Sequence, residues 1–370
     1  MDEKKQELFT EEILISEGDK AAHEEFLRYL RIPLHPDSGT LFRTYNRQKA
    51  YFIMRSFEAI LSDLDRMMLE KLRMMSELQV PLIVLGRVVG ILNFTSYRQV
   101  LKFSTQDIDS MGQFAEQVAG TIQNSHLLDE VKQQREESDR LLLNVLPARV
   151  ADELKERGEV DPQVYDSVSV IFTDFVDFTR ISETMPAREL IAELDGSFSQ
   201  FDAIASRHNL EKLKTIGDAY MCAGGLPIAN RTHPVDACMA ALEFQGFIQE
   251  IRNLRATRGQ SFWDLRVGIH TGPVTAGVVG ENKFAYDIWG DTVNTASRIE
   301  RYGTPGRINI SRQTYEAVRD FFECEQRGTM QVKGKGELEM YYVVRLRPEL
   351  TDDEDGRVPN DAFRRRYSER

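Results

Sequence analysis

The segment Ser167-Val-Ser-Val-Ile-Phe-Thr-Asp-Phe-Val-Asp-Phe-Thr179 constrains this chain more than any other. From Ser167 to Phe172 it alternates and then turns wholly apolar, the pattern of a central strand buried in an α/β layer. Asp174 is expected just beyond the C-terminal end of that strand, the edge where such layers place their ligands. A second segment, Leu210 to Tyr220, sets Gly217-Asp218 between apolar residues, a hairpin signal. Taken alone, each aspartate reads as a turn or cap residue. Strand ends and tight turns can nevertheless bring two carboxylates together, and converging carboxylates seat hard cations that hold phosphates.

A third segment shifts the balance. In Tyr286-Asp-Ile-Trp-Gly-Asp-Thr-Val-Asn-Thr-Ala-Ser-Arg298, Gly290-Asp291 can cap a helix on which Asn294 and Arg298 lie at i and i+4, on one face. Residues Val176 to Thr179, Phe178 among them, can offer backbone amides to a phosphate as the chain turns into a helix near Ile181. Carboxylates, a phosphate-binding turn and an arginine together suggest a nucleotide as the substrate.

The whole chain sets wider bounds. Its 370 residues exceed one ordinary core and favour two or more domains. With 41% apolar and 29% charged residues, a sizeable core and a solvated surface are both available. A net charge of −12 disfavours a broad basic face for nucleic acid, although a local basic pocket for a triphosphate remains compatible with it. The longest apolar stretch, Val80 to Phe94, is interrupted by Arg87 and falls short of a membrane span. No signal peptide is evident, and Cys222, Cys238 and Cys324 are too few and too scattered for a disulfide framework or a zinc site. A reducing cytoplasm is the expected compartment.

Along the chain, Glu77 to Phe94 reads as two buried strands joined at Gly86-Arg87. Ser104-Thr-Gln-Asp107 resembles a helix N-cap, and Ile108, Met111, Ala115, Val118 and Ile122 then recur at spacings of three and four. The helical pattern continues through the polar run Lys132 to Arg140 to Leu146, before Pro147 breaks it. Sparse apolar seams around a charged middle fit a parallel helix pair or a single solvated linker equally well. A short helix is expected from Ala148 to Arg157, ending at Gly158. The stretch 348–370 is rich in Asp, Arg, Pro and Asn, poor in aliphatics, and reads as a disordered tail.

The N-terminal part resembles a GAF domain, a small α/β sensory module. The likeness rests on Ile32-Pro-Leu followed by Ser38-Gly-Thr-Leu-Phe-Arg43, on Val80 to Asn93, and on Phe103-Ser-Thr-Gln-Asp-Ile-Asp109. The chain departs from that family at its start, entering near the family's second strand. The resemblance implies a small-molecule ligand, and the lack of cysteine in residues 1–130 argues against a thioether-held bilin.

The three segments together, over roughly Tyr165 to Leu346, resemble the class III nucleotidyl cyclases. The resemblance implies an α+β fold, ferredoxin-like and similar to the palm of polymerases, in which two paired domains share the active sites. It therefore implies a homodimer, with ATP as substrate and two divalent cations, Mg²⁺ or Mn²⁺, as cofactors. The implied division is 1–125 GAF-like, 126–160 helical dimerising linker, 165–347 catalytic and 348–370 tail. Residue by residue, Asp174 and Asp218 match the metal-binding aspartates and the Phe175 carbonyl a further ligand. Arg298 matches the arginine that stabilises charge on the α-phosphate, and Asn294 the residue that orients the ribose. Arg266 and Lys333 match triphosphate contacts, with Lys335 able to replace Lys333 in a shifted loop. Lys214 and Asp287 match the pair that reads adenine: lysine donates to N1 and aspartate accepts from the N6 amine, whereas guanine reverses that pattern. Where the family often has glycine, this chain has Asp177, expected to face solvent. The implied activity is conversion of ATP to 3′,5′-cyclic AMP and pyrophosphate, regulated through the helix. Guanylate cyclase, or a regulatory module that binds nucleotide without turnover, are the alternatives.

Overall fold

The computed structural model of the protein describes residues 7–9, 27–54, 61–183, 185–260, 262–280, 283–332 and 336–370. The chain divides into two compact units, 1–138 and 139–370.

In the first unit β1 (Glu7–Phe9) pairs antiparallel with β2 (Arg31–Pro33), followed by α1 (Gly39–Arg47), β3 (Tyr51–Met54), α2 (Asp63–Lys71), β4 (Ser76–Val84) and β5 (Arg87–Ser96). Strands β3, β4 and β5 form one antiparallel sheet. Its β4–β5 hairpin turns at Leu85-Gly86, with φ of 49° and 77°, one residue earlier than expected. Arg87 is already paired with Val84, so the two positive-φ positions of the tight turn fall on the preceding residues. Leu78, Val80 and Leu82 of β4 pack with Ala115 and Ala119 of the long helix α3 (Thr105–Leu143). The N-cap anticipated at Ser104 forms: Asp107 N donates to Ser104 Oγ at 3.2 Å, and Ser104 N donates back to Asp107 Oδ2 at 2.8 Å. No helix among the described residues is long and apolar enough to cross a membrane.

The second unit begins with α4 (Ala148–Arg157), which follows Pro147 and ends at Gly158 in the left-handed region, as expected. Then come β6 (Gln163–Phe175), α5 (Phe178–Ser182), α6 (Ala187–Arg207), β7 (Leu210–Ile216), β8 (Ala219–Gly224), α7 (His233–Ala256) and β9 (Leu265–Val279). In space the strands run β9-β6-β8-β7, all antiparallel, the ferredoxin-like order for a βαββαβ unit. The chain continues through β10 (Ala285–Trp289), α8 (Asp291–Arg301), β11 (Ile308–Ser311), α9 (Arg312–Val318), β12 (Phe322–Val332), β13 (Gly336–Leu346) and α10 (Asp361–Ser368). These additions extend the sheet beyond β9 through β11, β13 and β12, while β10 also pairs with β9.

Strand β6 is the buried centre that its apolar run suggests. Val170 and Ile171 are both 0% exposed because successive side chains enter different cores. Ile171 and Phe175 pack with Phe201 of α6 and Phe244 of α7, while Val168, Val170 and Phe172 pack with Val150 of α4 and Ala296 of α8. Burying each such side chain contributes about 1.5–3 kcal/mol, which fixes the strand end that carries Asp174.

The stretch 348–370 is folded, contrary to the disordered tail its composition suggests. Phe363 of α10 is buried against Phe321, and Tyr367 Oη donates to Asp236 Oδ1 of α7 at 2.6 Å. Asn360 caps α10 by accepting from Phe363 N at 3.0 Å. A few aromatic anchors on an existing core suffice here, and average composition does not register them.

Candidate active site

Asp174 lies inside β6, not beyond its end as expected, because the β6–β9 ladder continues through Asp174↔Arg266 and Phe175↔Leu265. That register puts Arg266 directly opposite Asp174, and its Nη2 donates to Asp174 Oδ2. The same guanidinium faces Glu300 of α8, with Nε 3.2 Å from Oε1. Asp218 occupies the β7–β8 turn after Gly217, whose φ is 64°, and β8 is the neighbour of β6 through Thr173↔Tyr220. The turn is thereby brought beside Asp174. Burial pushes the Asp218 carboxyl above its usual range, and the Asp174 charge pushes it further. Burial likewise raises Glu300 to about 7, again with Asp174 adding to the effect.

Two carboxylates thus contact one guanidinium, and Asp218 lies within reach of its charge. A hard cation would relieve the repulsion that Asp174 adds at Asp218, and the donors are all oxygen, so this end of the sheet fits a divalent metal. Phe175, whose carbonyl is the expected third metal ligand, keeps its ring 2% exposed and 5.2 Å from that of Trp263. Phe178 packs its ring 5.5 Å from Trp263, and exposed Thr179 follows in the first turn of α5. Asp177 has φ of 59°, a left-handed conformation that glycine adopts without strain, which accounts for glycine being common there. Its side chain is 63% exposed, facing solvent as expected and 3.6 Å from Arg180.

A second cluster joins β7 to β10. Lys214 Nζ donates to Asp287 Oδ2, and Asp287 Oδ1 accepts from Ile288 N at 2.9 Å. A bulge between Lys212 and Lys214 makes this pairing, since residues i and i+2 of a regular strand share a face. Lys212 reaches Asp202 of α6 at 2.7 Å, whereas Lys214 turns to the other side, towards β10.

The third cluster is α8. Gly290 occupies its N-cap, without a side-chain bond. Asn294 is exposed and Arg298 half-buried, with Nη1 buried and lacking a hydrogen-bond partner among the described residues. A guanidinium nitrogen in that state is open to an acceptor such as a phosphate oxygen. Among the described residues, no hydrogen bond or ion pair joins Asp174 and Asp218 to Lys214 and Asp287, or to Asn294 and Arg298. Lys333 and Lys335 lie outside the described residues.

Glu300 was missed by the sequence reading, although a signal was present. Thr292, Ala296 and Glu300 recur at every fourth position and are 3%, 0% and 8% exposed, so the glutamate lies on the packed stripe of α8. A carboxylate on such a stripe implies a buried partner.

Comparison with known proteins finds a family model for each of two parts of the chain. A model of the adenylate and guanylate cyclase catalytic domain matches residues 160–345, and a GAF domain model matches residues 16–122. An adenylate cyclase of Mycobacterium tuberculosis is 40% identical over 213 residues, covering 57% of this chain and 47% of that protein. The guanylate cyclase soluble subunit beta-2 of Rattus norvegicus is 36% identical over 237 residues, covering 64% and 34%. The alignments thus span half or less of these relatives' own length. Among solved structures, the guanylate cyclase domain of RhGC from Catenaria anguillulae in complex with GTP is 37% identical, with a TM-score of 0.47, covering 50% of this chain and all of that one.

Proposed function

The chain belongs to the adenylate and guanylate cyclase family and carries an N-terminal GAF domain, and from that premise we propose that it is an adenylate cyclase converting ATP to 3′,5′-cyclic AMP and pyrophosphate. The observation that carries the choice of base is the Lys214–Asp287 pair, a donor and an acceptor held together at the sheet edge by a bulge. That arrangement is complementary to adenine N1 and N6 and mismatched to guanine. Relatives of both specificities argue for the family, and the pair argues for ATP within it.

Cyclase domains of this family use divalent cations and work as dimers. Asp174 and Asp218, with the Phe175 carbonyl, would hold the cations, which when bound lower the pKa of the attacking 3′-hydroxyl and neutralise the leaving pyrophosphate. Arg266 neutralises the triphosphate, helped by the backbone at Phe178 and Thr179 and by Lys333. Asn294 orients the ribose, and Arg298 forks onto the α-phosphate as charge builds there. A shared site accounts for the separation of the clusters: Asp174 and Asp218 come from one subunit and Lys214, Asp287, Asn294 and Arg298 from the other. The buried, unpartnered Nη1 of Arg298 supports this reading. Retention of both aspartates and of Arg298 speaks against a module that binds nucleotide without turnover. The GAF domain regulates the reaction through α3.

The test is turnover by the full chain with Mg²⁺ or Mn²⁺ and, separately, ATP and GTP. The expected result is cyclic AMP formation with a higher kcat/KM for ATP. Absence of cyclic AMP from a demonstrably dimeric sample refutes the proposal.

A further inference from the structure

Arg266 is held from two sides. Asp174 accepts a hydrogen bond from its Nη2 across the β6–β9 ladder, while Glu300 Oε1 of α8 lies 3.2 Å from its Nε as an ion pair, neither of these two atoms having a hydrogen-bond partner among the described residues. The second contact depends on an unusually close approach of helix and strand. A Cβ on Gly268, two residues along β9, would lie 2.1 Å from Glu300 N and 2.3 Å from its Cα. Only glycine admits α8 at this distance, and that approach brings Glu300 to Arg266. Glu300 is 8% exposed, so its carboxylate cannot turn to bulk water instead.

The two contacts occupy different edges of the guanidinium. Asp174 and a phosphate would compete for the Nη atoms, whereas a partner on Nε leaves those atoms available to fork onto phosphate oxygens. We propose that Glu300 is a positioning residue that holds Arg266 by its charge beside Nε, keeping the guanidinium in the site when Asp174 turns from arginine to a divalent cation. Arg266 then exchanges one anion for another, Asp174 for the triphosphate, without leaving its place. This inference rests on the reading of Asp174 as a metal ligand and Arg266 as a phosphate contact.

A simpler view predicts the opposite sign. If Glu300 were only a buried negative charge beside the triphosphate, neutralising it would remove repulsion and tighten nucleotide binding. If it anchors Arg266, the neutral variant leaves the arginine with Asp174 alone, so cation and nucleotide both bind more weakly.

The experiment uses the full chain and Glu300→Gln, with Mn²⁺ binding followed by electron paramagnetic resonance, alone and with α,β-methylene-ATP. Thermal melts of both proteins accompany the titrations. The expected result is a loss of about tenfold in affinity for Mn²⁺ and for the analogue, the size usual for partners that orient a metal ligand. KM for ATP should rise more than kcat falls. Unchanged or tighter binding by a folded Glu300→Gln overturns the proposal. Should that variant give no cooperative melt, Glu300→Asp keeps the charge but shortens its reach; the same titration must then show weakened binding, and an unchanged affinity overturns the proposal. A native chain that binds neither probe would instead overturn the metal and substrate assignments, which separates the two failures.

Discussion

Gly268→Ala tests how closely the site depends on packing. The added Cβ would sit 2.1 Å from Glu300 N, 2.3 Å from Cα and 2.6 Å from Cβ, whereas ordinary contact begins at 3.4 Å. The obstructing atoms are mainly backbone, so no rotamer change relieves them, and α8 must withdraw by about 1.3 Å, the difference between 3.4 and 2.1 Å. Overpacking of this kind costs about 1–3 kcal/mol. For a unit of this size each kcal/mol lowers Tm by about 2–4 °C, giving a fall of about 2–12 °C. Asn294, Arg298 and Glu300 all ride on α8, and a misplacement of about 1 Å can reduce kcat/KM on the order of 100-fold. The assay pairs thermal unfolding with cyclase rates measured well below both melting temperatures. Gly196→Ala is the control, because that glycine lies within α6 with nothing near its would-be Cβ, and alanine there should be neutral or stabilising by about 0.5–1 kcal/mol. A Gly268→Ala protein with unchanged Tm and unchanged kcat/KM would refute the claim that the α8–β9 approach sets the site.

Two further outcomes follow from named residues. Lys214→Glu combined with Asp287→Cys should move preference from ATP towards GTP, each mismatched group being worth roughly 1–3 kcal/mol; the ratio of kcat/KM values measures it, and unchanged selectivity rejects the base-reading assignment. His233, hydrogen-bonded through Nδ1 to Ser169 Oγ at 2.9 Å, is lowered to about 4 by burial and then by the charge of Arg370, against 6.5 when unfolded. Between those values the unfolded chain holds a proton that the folded chain does not, so stability is full above about 6.5 and falls as pH drops towards 4. Melting curves across that window should show a shallower pH slope in His233→Asn than in the native chain.

Local pattern made much of this molecule legible. The apolar run into Asp174, the Gly217-Asp218 hairpin, the capping of α3 at Ser104 and the start of α4 after Pro147 are each written in a few consecutive residues, because strand burial, tight turns and helix starts depend on neighbours in sequence. The end of α3 differs: it falls at Leu143, three residues short of the expected Leu146. Joint order and spacing of three such segments sufficed to recognise the family. The bulge that turns Lys214 away from Lys212 and towards Asp287 has no such local signature, since it arises from pairing with β8. The folding of 348–370 turns on where Phe363 and Tyr367 find a surface, which composition averages away. Glu300 carried a faint signal, an acid on a packed stripe, but its partner lies on a strand 34 positions earlier and is reached only because Gly268 admits the helix. The sequence by itself determined the central strand, the hairpins, the helix starts and, through the order and spacing of three segments, the family, because short-range patterns encode them. Only the tertiary structure decided that Asp174 and Glu300 lie beside different edges of Arg266, because close approach of helix to strand depends on the whole packed sheet.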